Sequence, residues 1–401
     1  MNYRFLVVIG ASLFMFGCLG STSPPPSTPA AEEKIKEGKV DEAASQVPAA
    51  EFATPSQVSA RSAGDFRQTV DRSLRSIEQN PRNFDAYMDL GKAYRQLNQN
   101  KEAERAFENA SLVKPNAVEP MLELAETHSL LGHHLKAVAV YQDLLKHEPK
   151  NAGLKNSLSI AYRKNKDFRS AEDLVREILN TDKTNIYAIN NLGLIYYDSK
   201  RYQLAELTFQ KGKKINPKTA ETYNNLGLTY LAMDMPRNAI NEFRRATELN
   251  PSLVSARMNL ANIYLKAGNY PKAIQLYEEV LRTDPLNIPA NQNLGVAYLT
   301  TGEVAKARQA FSTNAGTDPN NGAALFNLGL LYQNNLQDPE TALKYFQRFV
   351  AVERLNLAKD HEVFGYIKQL QSMPKRPKVV PTPQPTPAAA VQKAPERKAQ
   401  P

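Results

Sequence analysis

Few side chains in this 401-residue sequence are suited to covalent or metal chemistry, and their placing limits what they can do. There is one cysteine, Cys18, and five histidines, of which His128, His133 and His134 lie close together. A single thiol excludes an intrachain disulfide framework and any Cys-based zinc or iron–sulfur site, since each needs several thiols. Adjacent histidines in a turn face different directions, and no Asp or Glu completes an obvious ligand set. The group reads as a solvated turn, and neither a metal site nor any other cofactor is expected. No glycine-rich phosphate loop, His-Glu-x-x-His or Gly-x-Ser-x-Gly occurs. With no catalytic residues in view, the chain reads as a non-enzyme.

Charge and proline locate the segments that hold no core. The net charge is +9, yet residues 373–401 carry Lys375, Arg376, Lys378, Lys393, Arg397 and Lys398 against Glu396 alone, which is +5 from one end. Proline is concentrated likewise, with six between 24 and 55 and eight between 374 and 401. Both stretches read as extended, solvated linkers. Basic groups in the body alternate with acids, so no nucleic-acid partner is expected. The basic Pro-rich tail has the chemistry to touch an acidic surface such as the cell wall, or serves only as a spacer.

Residues 1–17 combine Arg4 with an apolar run from Phe5 to Phe16. Twelve residues make about 18 Å of helix, short of the ~30 Å hydrocarbon core, so the run reads as a signal peptide. Its end, Met15-Phe16-Gly17-Cys18, resembles the lipobox of bacterial lipoproteins. The resemblance implies that Cys18 carries the lipid and holds the chain to a membrane; Leu19, rather than Asp, implies an outer-membrane lipoprotein of a Gram-negative bacterium, facing the periplasm. Residues 18–64 then form a lipidated Cys and a Pro-rich tether, roughly 40 Å end to end as a coil.

The elements that must position any binding surface show as a 34-residue period. Leu90-Gly91/Tyr94, Leu192-Gly193/Tyr196, Leu226-Gly227/Tyr230, Leu260-Ala261/Tyr264, Leu294-Gly295/Tyr298 and Leu328-Gly329/Tyr332 share it, with weaker copies at Leu124-Ala125/His128 and Leu158-Ser159/Tyr162. With Phe84 as position 1, position 20 is Ala in every copy, position 24 is large and apolar, and position 32 is Pro in six of the first seven. Leu at 7 and Tyr at 11 share one face of a first helix; Ala at 20 and the aromatic at 24 share one face of a second. Small residues at 8 and 20 permit close approach, Gly132, Gly268, Gly302 and Asn98 suit left-handed turns, and the proline ends the second helix. One pair cannot bury both faces, so the pairs must stack.

This pattern resembles the tetratricopeptide repeat over about 270 residues. It implies an all-α superhelical solenoid of about eight repeats over 84–354, with capping helices at 65–83 and 355–372 and a disordered tail at 373–401. The amphipathic stretch of the last cap is expected to run from Leu355 to Leu370.

By the same resemblance, positions 2, 5, 6, 9, 12 and 13 of the first helices line a concave groove. Repeats one to three place charge there, including Asp85, Asp89, Lys92, Arg95, Glu119, Glu123, Glu126 and Arg163. Repeats four to eight place Asn191, Asn225, Asn259, Asn293 and Asn327 at position 6, Leu194 and Leu228 at 9, and Tyr197, Leu231 and Leu265 at 12. A carboxamide donates to a carbonyl and accepts from an amide, so a row of them suits gripping an extended peptide backbone beside apolar side chains. The alternative is that these asparagines only support neighbouring helices. Met258, Ala323 and Asn327 stand where a carboxylate clamp needs cations, so a free C-terminus is not the expected ligand. The expected function is an envelope scaffold or adaptor binding proteins or peptides. Two alternatives are a pilotin-like assembly factor for a secretin, type IV pilus or gliding machine, and a regulatory subunit of an envelope enzyme. The oligomeric state is left open.

Overall fold

The computed structural model describes residues 60–115 and 117–373, with side chains from Gly64 onward. The signal peptide, Cys18, most of the tether and the tail beyond Met373 lie outside the described residues. Among the described residues every regular element is a helix. After α1 (Ala60–Gln79) come eight pairs: α2 (Phe84–Gln96) and α3 (Asn100–Val113), α4 (Val118–Leu130) and α5 (His134–His147), α6 (Ala152–Lys164) and α7 (Phe168–Thr181), α8 (Ile186–Asp198) and α9 (Tyr202–Ile215). They continue as α10 (Ala220–Ala232) and α11 (Pro236–Leu249), α12 (Val254–Lys266) and α13 (Tyr270–Thr283), α14 (Ile288–Thr300) and α15 (Val304–Thr317), α16 (Gly322–Asn334) and α17 (Pro339–Val352), closing with α18 (Glu362–Ser372). None of these helices is long and apolar enough to cross a membrane.

The local chemistry explains the boundaries. Asn83, Asn151, Asn185, Asn287 and Asn321 each accept a backbone N–H three residues on, capping first helices. Asp167, Asn269 and Asp338 do the same for second helices. The turns inside the pairs need a left-handed residue, and Asn98, Gly132, Gly268 and Gly302 supply it with φ of 61°, 77°, 72° and 83°. Lys166, Lys200, Asp234 and Gln337 occupy the same conformation without being glycine, which the sequence pattern did not single out.

Each pair is locked by one recurring contact. Position 20 is a fully buried alanine in all eight repeats, from Ala103 to Ala342. A Cβ added at Gly91, Gly227, Gly295 or Gly329 would lie 2.5 to 2.7 Å from the ring of Phe107, Phe243, Phe311 or Phe346, and Gly193 is as tight against Phe209. In every repeat with glycine at position 8, position 24 is therefore a fully buried Phe. Where position 8 is Ala125, Ser159 or Ala261, position 24 is Tyr141, Val175 or Tyr277 instead.

The caps differ from expectation at two places. Helix α1 begins at Ala60, inside the expected tether, because Ala60 to Ala63 contain no breaker although the apolar period starts only at Phe66. At the other end residues 355–361 are not helical and Leu355 is 96% exposed. Helix α18 starts only at Glu362, where His361 Nδ1 accepts the Val363 N–H at 3.2 Å. From there Val363 and Leu370 still cover Leu325, Phe346 and Phe349.

Candidate binding face

First helices of successive repeats touch one another from α6 through α14, which sets them on the inner side of the stack with the second helices outside. Two kinds of tie join them. In the N-terminal repeats the ties are charged. Lys92 Nζ meets Glu119 Oε1 at 2.7 Å, and Arg95 pairs with both Glu123 and Glu126, the latter at 3.0 Å. Arg163, only 2% exposed, pairs with Asp198 of the next repeat at 2.6 Å. One guanidinium thus faces two carboxylates at Arg95. Burial, reinforced by the charge of Glu123 and opposed by Arg95, pushes the Glu126 carboxyl up to about 7.

From the fourth repeat the ties become amides. Asn191 Nδ2 donates to Asn156 Oδ1 and to Ser159 Oγ, each at 3.1 Å. Asn259 Nδ2 donates to Asn224 Oδ1 at 2.9 Å, and Asn293 Nδ2 to Asn262 Oδ1 at 2.9 Å. Asn225 Oδ1 accepts from the neighbouring Asn224 at 3.3 Å. Most of these carboxamides reach back to the first helix of the preceding repeat.

This placement corrects the row proposed as a peptide grip. Asn191, Asn225, Asn259 and Asn327 are buried and so are not presented to a ligand, and Asn191 and Asn259 join neighbouring helices. Leu194, Leu228 and Leu265 are buried as well, in the cores between repeats. A single carboxamide cannot both satisfy a buried neighbour and present its donors to a ligand. What remains accessible on the inner side is Asn293, Tyr197 and Leu231, together with Asn262, Leu299 and Leu330, all half-buried. Asn262 and Leu330 stand at the same repeat position as the buried Leu194 and Leu228. Position 9 carries both, and exposure there varies because each neighbour covers it to a different extent. Tyr197 leans edge-on against Tyr202 with ring centroids 5.7 Å apart, and burial pushes its hydroxyl up to about 12.

Comparison with known proteins agrees with this architecture. Family models described as "Tetratricopeptide repeat" match residues 74–105, 186–219, 224–288, 265–329 and 323–352. No curated protein matches the chain. Among solved structures, yeast Tom70 superposes with a TM-score of 0.55 at 14% identity, covering 79% of this chain and 65% of that one. PilW, a type IV pilus biogenesis factor, gives 0.46 at 19% identity over 56% of this chain and 99% of its own. YrrB, described as having an unusual peptide-binding site, gives 0.42 at 16% identity over 49% and 97%. At these identities the likeness shows the fold alone.

Proposed function

Taking the chain as the tetratricopeptide-repeat protein that its fold and these matches make it, and hence as a protein-interaction scaffold, we propose that it is a non-enzymatic adaptor of the bacterial cell envelope. Its partner is a protein segment, extended or helical, with an apolar stripe. It docks on the inner side of the fourth to eighth repeats. The observation that carries this reading is the uncharged strip of Tyr197, Leu231, Asn262, Asn293, Leu299 and Leu330, left half-open where neighbouring groups are consumed by inter-repeat ties. Half-open apolar groups rimmed by amides bury a partner's apolar side chains while offering a few hydrogen bonds, as helix-in-groove and extended-peptide recognition require. In the first three repeats Lys92, Arg95 and Arg163 are engaged by acids of the following repeats, so these groups contribute rigidity more than ligand contact.

Attachment through Cys18 to the outer membrane completes the proposal. It is supported by the lipobox-like Met15-Phe16-Gly17-Cys18 and by a tether long enough to hold the array clear of the bilayer. The chain is expected to label with palmitate, and Cys18→Ala or globomycin to abolish labelling and membrane association; unchanged labelling refutes the anchor. For the groove, a photoreactive residue at Leu231 or Leu299 of the full chain is expected to capture a partner that the same residue at Leu207, exposed on the outer helix α9, does not. Equal capture at Leu207 sinks the groove reading.

A further inference from the structure

Folding brings an acid of the preceding repeat against the histidine group. Glu104, on α3 of the first repeat, comes to lie against His128 on α4 and His133 at the following turn of the second. Glu104 Oε1 is 3.0 Å from His128 Nδ1 and 3.6 Å from His133 Nδ1, and one ligand atom from each of the three residues falls within 4.8 Å of the others. A tetrahedral zinc ion with bonds of about 2.1 Å sets its ligand atoms about 3.4 Å apart. The backbone holds the pair in register, since His133 N–H donates to His128 O at 2.8 Å around Gly132.

His128 supplies the second observation. Its side chain is only 5% exposed, and Nδ1, though 3.0 Å from a carboxylate oxygen, makes no hydrogen bond in that geometry. A close contact without a hydrogen bond is what two ligand atoms show when both are directed at a third point between them.

The other repeats show what this position holds elsewhere. Position 11 is usually Tyr, and its hydroxyl lies against the acid at position 21 of the preceding repeat: Tyr196 with Glu172 at 3.0 Å, Tyr230 with Glu206 at 3.1 Å. Beside Glu172, position 16 is Arg201, whose guanidinium pairs with that carboxylate at 2.8 Å. In the second repeat the tyrosine and arginine are replaced by two imidazoles around an acid of the same register. Among the described residues Lys136 also pairs with Glu104, its Nζ 3.4 Å from Oε1, on a side chain 60% exposed.

We propose that Glu104, His128 and His133 bind a divalent transition metal of the zinc class, with water completing the coordination on the side of His133, which is 44% exposed. The ion clips the first repeat to the second by joining α3, α4 and the turn before α5. The proposal is independent of the groove reading.

The test uses the full chain stripped with EDTA and titrated with Zn²⁺, and with Co²⁺ for its visible absorption. One equivalent is expected to bind, with the intense bands of tetrahedral cobalt and a raised Tm. His133→Ala, at the exposed ligand, is expected to weaken Zn²⁺ binding at least tenfold and to abolish those bands. His128→Tyr restores the residue found in the sister repeats, so it is expected to fold and to bind no metal. Lys136→Ala is expected to tighten binding. Wild-type affinity in His133→Ala or in folded His128→Tyr overturns the site. So does an equal loss in His147→Ala, which removes a histidine outside the cluster, because it would mark diffuse surface binding.

Discussion

The two halves of the array solve the same joining problem with different chemistry. Ten of the thirteen residues of α10 are buried, against four of thirteen in α4. The N-terminal first helices meet through Lys92, Arg95, Arg163 and their acids; those from the fourth repeat on meet through asparagine carboxamides. Charged ties reach across wider gaps and tolerate partial hydration, but each leaves a buried charge if its partner is lost. Carboxamide ties are short and neutral, so helices joined by them pack closely. The half suited to apolar recognition is therefore the half whose first helices are joined mainly through carboxamides, with the half-open apolar strip beside them.

The contrast is broken most severely at its boundary. Asp198→Ala strands the Arg163 guanidinium and is expected to cost about 3 kcal/mol, measured by urea unfolding with hydrogen exchange to localise the loss to the third and fourth repeats. Pairing it with Arg163→Met is expected to recover most of that; a double variant as unstable as the single would show that the pair, and not the stranded charge, sets the stability. Next, Asn259→Ala removes the buried donor to Asn224 and is expected to cost about 1–2 kcal/mol. The half-exposed Asn293→Ala is expected to cost less than half of that, by the same unfolding measurement.

A smaller effect is carried by pH. With Glu126 raised from 4.5 to about 7, the folded chain holds a proton that the unfolded chain has already released within that window. Stability is therefore expected to fall as pH rises from about 4.5 to 7, and Glu126→Gln to flatten that fall, read as Tm against pH. No comparable slope is expected to be lost on changing Asn225 in the amide-tied half. Smallest is Lys200→Gly at its left-handed turn, where about 0.5–1 kcal/mol of gain is expected in the same unfolding assay.

The sequence made the fold legible because the repeats spend recurring residue types at fixed places: Ala at 20 and an aromatic or Val at 24 in every copy, with Pro at 32 in most, report packing that depends on near neighbours within 34 residues. The left-handed turns at Lys166 and Lys200 were not legible, since tertiary packing imposes a conformation their residue types disfavour. Nor was the fate of Asn191 and Asn259: whether a carboxamide meets a ligand or a neighbouring helix depends on the distance between repeats, which one repeat's sequence does not contain. Glu104 was missed for a related reason. Its partners lie 24 and 29 positions away, across a repeat boundary.

The contact between position 8 and position 24 bears on how such a chain can be inherited. Glycine beside Phe107, Phe209, Phe243, Phe311 and Phe346 and alanine beside Tyr141 and Tyr277 make each repeat a matched half-and-half. Unequal recombination between gene copies that falls within a repeat would set Ala125 against a phenylalanine ring, or a glycine against Val175 with a void between them. Recombination at the connecting segments, near Pro149 or Pro251, leaves every match intact. The unit that can be duplicated or deleted without penalty is thus the whole helix pair, and lengthening such an array by steps of 34 residues is the path its packing leaves open.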